Sequence, residues 1–143
     1  MSRWLICRRL IDMDNSELVK LALGARKNAY APYSGFLVGA AILCSDGSVF
    51  CGANVENASY SLTCCAERNA LFAAVSAGKR EFEAIAVVGG KEGDISEFCP
   101  PCGACRQALS EFSPDGKMRV VLFDGKRERE LTLDGLLPCR FEL

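Results

Sequence analysis

The feature that most constrains this chain is an unbroken apolar run from Phe36 to Cys44, closed by Ser45-Asp46-Gly47. A strand with one wet face alternates polar and apolar side chains, whereas a strand covered on both faces reads as a continuous apolar stretch. Asp-Gly is a strong hairpin signal, so residues 49–55 are the expected antiparallel partner. A sheet built on such a strand needs cover on both faces, and helices are the usual cover.

The rest of the chain supplies that cover. Asp14 and Glu17 form a D-x-x-E capping box. Leu18, Leu21, Ala22 and Ala25 follow at helical spacing, which predicts a first helix to about Ala29. Ala31-Pro32-Tyr33-Ser34-Gly35 breaks it. A second helix is expected over 64–77, stopping at Gly78, and a third strand over 84–88, ended by Gly89-Gly90. After a loop, Cys102 opens a third helix reaching about Phe112. Strands are expected over 118–123 and 127–132, with a helical turn over 133–137. The order α-β-β-α-β-α-β-β implies an α/β fold with one mixed sheet. The 143 residues suit one domain, placed at 14–143. Residues 1–13 read as a loose N-terminal extension. It carries Arg3, Arg8 and Arg9 around Trp4-Leu5-Ile6, an apolar patch too short for a secretory leader. A basic organelle-targeting segment is the alternative reading of it.

Composition narrows the chemistry. The net charge of -1, from 17 basic and 18 acidic residues, argues against a nucleic-acid backbone as the main partner, since such binding rests on clustered Lys and Arg. No apolar run reaches the roughly 18 residues of a membrane span. The chain has no histidine, which closes Ser-His-Asp, Cys-His and His-ligated zinc chemistry. A general base must then be a carboxylate, a lysine, a tyrosine or a thiolate. Nine cysteines are an odd number, and without an evident leader free thiols in a reducing cytoplasm are expected.

Two short stretches concentrate the reactive groups. Cys102-Gly103-Ala104-Cys105 follows Pro100-Pro101. Three residues on a helix turn through about 300°, so both sulfurs are expected on one face, suited to one tetrahedral metal. Alone, the pair reads as well as a redox pair, half of a structural zinc site, or two buried cysteines. Cys64-Cys65-Ala66-Glu67 opens another predicted helix. Helix N-termini favour thiolate over thiol. Two such ends meeting would hold Cys65, Cys102 and Cys105 on one metal and leave a fourth position for water. Cys64 competes: it could replace Cys65 or complete a four-cysteine structural site. Cys7, Cys44, Cys51, Cys99 and Cys139 are expected as core residues, because free cysteine is usually buried. Glu67 stands about 200° from Cys65 on a regular helix, so the two converge only if the metal lies off the helix end. Arg68 could hydrogen-bond a ligand thiolate and drain its charge; the bland reading is a surface arginine.

These residues resemble the zinc-deaminase pattern, whose three-cysteine variant reads here as Cys65-Ala66-Glu67 and then Pro101-Cys102-Gly103-Ala104-Cys105. Tyr30-Ala31-Pro32-Tyr33-Ser34, Val38-Gly39-Ala40-Ala41, Asn54-Val55-Glu56-Asn57-Ala58-Ser59-Tyr60 and Arg106-Gln107 extend the match. Over residues 14–141 the chain is similar to the small, homotetrameric cytidine deaminases. The resemblance implies a three-layer α/β/α sandwich around a five-stranded mixed sheet. It implies one Zn2+ per subunit, held by Cys65, Cys102 and Cys105, and Glu67 as the catalytic proton carrier. It implies a substrate site in which Asn54 and Glu56 bond the ribose hydroxyls, Phe36 stacks on the pyrimidine, and Ala58 and Ala66 contribute further contacts. Tyr60 would reach across a subunit interface and Phe141 would pack over a neighbouring site, so that neighbours complete each site of a homotetramer. Without the resemblance, Phe36 and Phe141 read as core or interface packing.

The implied reaction is hydrolytic deamination of cytidine and deoxycytidine to uridine and deoxyuridine plus ammonia, a pyrimidine-salvage step. Glu67 would take a proton from water, protonate N3 and deliver the second proton to the leaving amine. Two positions depart from the family pattern: Ala53, where members often carry cysteine, and Cys64 before the ligand. Three rivals stay open at this point. One is a blasticidin-type deaminase, which shares the metal motif. Another is a thiol–disulfide oxidoreductase on Cys102 and Cys105, and the last is a non-catalytic structural zinc module. An editor of RNA or single-stranded DNA is disfavoured by the near-neutral charge.

Overall fold

The computed structural model describes residues 13–143; the expected N-terminal extension, with Cys7, lies outside the described residues except for Met13. Asp14 caps helix α1 (Asn15–Arg26), accepting from the Glu17 N–H at 2.8 Å. The helix ends before Ala29 because the last turn tightens: Asn28 and Ala29 donate three residues back, to Ala25 and Arg26. Strands β1 (Phe36–Cys44) and β2 (Val49–Ala53) form the expected hairpin. β2 stops short of residue 55 because Val55 leaves β1 and bridges Tyr30 and Cys64 instead. A single 3-10 turn, Tyr60–Leu62, follows; it has no counterpart in the expected elements.

Helix α2 (Ala66–Ser76) leads to β3 (Phe82–Lys91), and α3 (Gly103–Ser110) leads to β4 (Arg119–Phe123). Strand β5 (Glu128–Thr132) and the short α4 (Leu133–Leu136) complete the fold. β3 runs past the Gly89-Gly90 stop expected from the sequence, pairing with β1 from Phe36↔Lys91 to Cys44↔Phe82. The glycines are there for closeness: a Cβ at Gly90 would overlap Asp94 O, and one at Gly89 would lie 2.7 Å from Cys99 Sγ.

The sheet order is β2-β1-β3-β4-β5, with β3 and β4 parallel and every other pair antiparallel. Period-2 alternation along β1 splits the core into two layers. Ala41 and Leu43 face α1, joined by Leu18, Val19, Ala22 and Met13. Ala40 and Ile42 face the other helices, joined by Ala70, Leu71, Leu109 and Leu133. Helices on both faces of a five-stranded mixed sheet make the expected three-layer α/β/α sandwich. Two glycines set its thickness. A Cβ at Gly39 would fall 2.0 Å from Ala22 O of α1, and one at Gly52 would fall 2.4 Å from Ala70 N and 2.5 Å from Ala66 O of α2. Helix α2 therefore rests backbone on backbone against β2.

Candidate active site

The N-termini of α2 and α3 converge, and each is capped by a cysteine in extended conformation. Cys65 (φ -70°, ψ 154°) precedes α2 and Cys102 (φ -68°, ψ 167°) precedes α3. The expected helix starts at 64 and 102 thus move inward, and the Cys102–Cys105 pair meets across a first turn rather than along a helix face. Cys65 Sγ and Cys102 Sγ are 3.8 Å apart, and the sulfurs of Cys65, Cys102 and Cys105 all lie within 4.8 Å of one another. Four ligands about 2.3 Å from a tetrahedral centre stand about 3.8 Å apart, so the three sulfurs fit one zinc ion. Cys105 is buried, Cys65 half-buried and Cys102 exposed, which leaves the group one open side.

Local structure explains the convergence. Asn69 Nδ2 donates to Ala53 O at 2.8 Å, pinning the first turn of α2 to β2 above Gly52. Arg106 holds the approach to Cys102, donating from Nε to Pro101 O and from Nη1 to Leu136 O, each at 2.7 Å. Cys64 pairs through its N–H and C=O with Val55, at 3.0 and 2.9 Å. Its side chain is not part of the three-sulfur group, as adjacent residues in extended chain point to opposite sides.

The electrostatics are those of a cluster that holds negative charge. Hydrogen bonding from Cys105 pulls the Cys65 thiol down to about 5, helped by Arg68, whose Nη2 lies 3.5 Å from Cys65 Sγ. The same bond to Cys65, with burial, pushes Cys105 up. The Arg68 guanidinium is held protonated chiefly by Cys65, and its buried Nε has no partner among the described residues. Arg68 is therefore at the thiols and not a free surface cation. Glu67, in the first turn of α2, is 4% exposed, and burial pushes its carboxyl up to about 7. Desolvation disfavours the carboxylate, so both forms of the group are present near neutrality and it can take up and release a proton.

A second set of residues forms a rim. Glu56 Oε1 accepts the N–H groups of Tyr33 and Ser34 at 3.0 and 3.1 Å, and Glu56 Oε2 accepts from Ser34 Oγ. These residues line a cavity of about 360 Å³ with Tyr60 and Thr63. Asn54 is buried, its Oδ1 accepting from Val38 N at 2.8 Å and its Nδ2 donating to Phe36 O at 2.9 Å. The Phe36 ring packs over Gly89 beside Cys99, whose thiol burial pushes up to about 11. The bridge from Val55 to Cys64 ties this rim to the sulfur cluster. Ala66 is fully buried and Ala58 exposed. Tyr60 is 78% exposed and meets Tyr33 edge-on, while Phe141, 69% exposed, is tied to α3 by the Gln107 bond to its carbonyl. Ser34, Asn69 and Arg106 hold the site together, yet motif spacing assigns none of them a role. Their partners lie 22, 16 and 30 residues away in the chain.

A sandwich that brings three thiols and one proton-bearing carboxyl to two helix ends defines a thiolate metal centre equipped for proton transfer. The family described as cytidine and deoxycytidylate deaminase zinc-binding region matches residues 13–122. A cytidine deaminase of Halalkalibacterium halodurans is 52% identical over 90% of this chain and 95% of its own length. One of Sporosarcina psychrophila is 49% identical over 90% and 92%. The crystal structure of cytidine deaminase from Burkholderia pseudomallei superposes with a TM-score of 0.81 at 48% identity, covering 90% of this chain and all of that one. This chain belongs to the cytidine deaminase family of zinc-binding deaminases.

Proposed function

We propose that the protein deaminates cytidine and deoxycytidine hydrolytically, yielding uridine or deoxyuridine and ammonia. Glu67 carries this reading: a buried carboxyl poised near neutrality beside three clustered thiols. Cys65, Cys102 and Cys105 would hold one zinc ion per subunit. Bound there, zinc supplies Lewis acidity that makes water a competent nucleophile near neutral pH. Arg68 stabilises the Cys65 thiolate and offsets the charge of the cluster. Glu67 accepts a proton from water and places it on N3 of the cytosine ring. The water oxygen bonds to C4, the C4–N bond breaks, and Glu67 passes the second proton to the departing ammonia. Phe36 stacks on the base, the buried Ala66 closes the pocket beneath it, and Ala58 borders the sugar. Asn54 retains one free amide hydrogen after its two backbone bonds. With Glu56 it meets the ribose hydroxyls.

In Glu67→Gln, turnover of cytidine falls by about 10³-fold or more, while zinc, measured by elemental analysis, stays at one per chain. Parental turnover in that variant overturns the mechanism. The exposed Tyr60, Leu62, Val55 and Phe141 support a homotetramer in which Tyr60 and Phe141 serve neighbouring sites. Sedimentation equilibrium then gives four subunits, and a monomer that turns over at the full rate sinks that part of the reading. Among the described residues no helix is long and apolar enough to cross a membrane. A single catalytic domain from residue 14, acting in cytoplasmic pyrimidine salvage, completes the proposal.

A further inference from the structure

Phe36 and Glu56, two of the residues assigned to substrate, are joined through one side chain outside that set, and Asn54 bonds Phe36 directly. Ser34 Oγ donates to Glu56 Oε2 at 2.5 Å and accepts from the Phe36 N–H at 3.0 Å. On the other side of Phe36, its carbonyl accepts from Asn54 Nδ2. Gly35, at φ 66°, turns the chain so that Ser34 Oγ reaches the N–H two residues on. A hydroxyl has one proton to give, and an ionised carboxylate can only accept, so the Ser34 proton must point at Glu56.

This arrangement limits what Glu56 can still do. A carboxylate offers about four acceptor positions. Tyr33 N, Ser34 N and Ser34 Oγ occupy three of them. About one remains for a ligand hydroxyl, and its direction is set by the other three. The Ser34 hydroxyl is also the first cause holding the Glu56 carboxyl below its ordinary range, so the group stays an acceptor. Both side chains line the same 360 Å³ cavity, within the size range of small-ligand sites.

We propose that Ser34 is a positioning residue for nucleoside recognition, its hydroxyl fixing the Glu56 carboxylate and the Phe36 peptide in one relation so that sugar contact and base stacking are set together. The inference rests on the reading of Glu56 and Phe36 as substrate contacts. Its consequence is a coupling in KM between residues 34 and 56, which support of the Phe36 turn independent of Glu56 would not produce.

The test is steady-state kinetics on cytidine with the full-length, zinc-loaded enzyme. In Ser34→Ala, KM rises about tenfold and kcat stays within about threefold, the loss of one hydrogen bond to a charged group. Ser34→Thr, which keeps the hydroxyl, returns KM to within about threefold of the parent, whereas Ser34→Val, of the same shape without it, behaves as Ser34→Ala. In a Glu56→Ala background, Ser34→Ala adds less than about twofold. A parental KM in Ser34→Ala or Ser34→Val overturns the inference. So does an equal KM rise from Ser34→Ala in both backgrounds. A parental KM in Glu56→Ala overturns the sugar reading itself, a result distinct from either failure at Ser34.

Discussion

The sulfur cluster and the Glu56 rim lie on one bridge of backbone, yet they are made in different ways. At the cluster, Ala66 and Cys105 have no exposed surface and Glu67 almost none. Their chemistry comes from burial and from two helix ends. At the rim, Tyr33, Ser34 and Phe36 are exposed, and order comes from hydrogen bonds aimed by a turn. Burial changes what a group is, as it does when it lifts the Glu67 carboxyl to about 7. At the rim, directed hydrogen bonds chiefly set where a group points, and they keep the Glu56 carboxylate an acceptor. Substitutions at the cluster should therefore strike kcat and metal content, and substitutions at the rim should strike KM.

The most severe way to test that division is Cys105→Ala, which removes the buried sulfur. Zinc content and cytidine turnover are both expected to vanish, by elemental analysis and by ultraviolet assay. Full zinc with parental turnover would break the cluster's side of the comparison. Gly52→Ala probes the support beneath the cluster. Its Cβ must displace the α2 backbone, an overpacking cost of about 1–3 kcal/mol or more, seen as a lower denaturant midpoint together with weaker zinc retention. An unchanged midpoint would show that α2 does not bear on Gly52. The smallest effect belongs to a site in neither region. Asp46 pairs with Lys79 at 2.5 Å, and that ammonium, with Ser48, holds its carboxyl well below the ordinary 3.8. A lowered folded pKa contributes stability above the unfolded value and loses it as pH falls through the folded one. Asp46→Asn therefore lowers the denaturant midpoint slightly at pH 7. The gap closes below 3.8, with kcat and KM unmoved throughout. A gap that widens in acid would reverse the sign.

Much of the fold was legible because its signals are local. The apolar run of β1, the Asp-Gly turn and the Asp14 cap are readable within a few residues, and β1, the hairpin and the start of α1 lie where expected, although α1 and β2 end earlier. Gly89-Gly90 misled because glycine marks both a chain break and a close approach; which applies depends on Cys99 and Asp94, and their proximity is a tertiary fact. The 3-10 turn at Tyr60–Leu62 has no buried residue, hence no periodicity to read. The three cysteines were visible as short motifs. The contact of Arg68 with Cys65 was anticipated and is present at 3.5 Å. The burial of Glu67 was not visible, since α2 alone does not reveal which face meets the sheet. Ser34 lies in the Tyr30–Ser34 stretch, but spacing alone gives it no role, because its partner Glu56 is 22 residues distant.

Gly52 carries one more consequence, for how the chain assembles. Every residue flanking Gly52, from Phe50 to Asn54, bears a Cβ. Any slip of the β1–β2 hairpin, odd or even, would bring such an atom under Ala66 and Ala70, where none can fit. The hairpin's alignment and the placement of Cys65 are thus a single decision during folding. A chain with its first two strands out of step would have no room to seat α2 and could not bring Cys65 to Cys102 and Cys105.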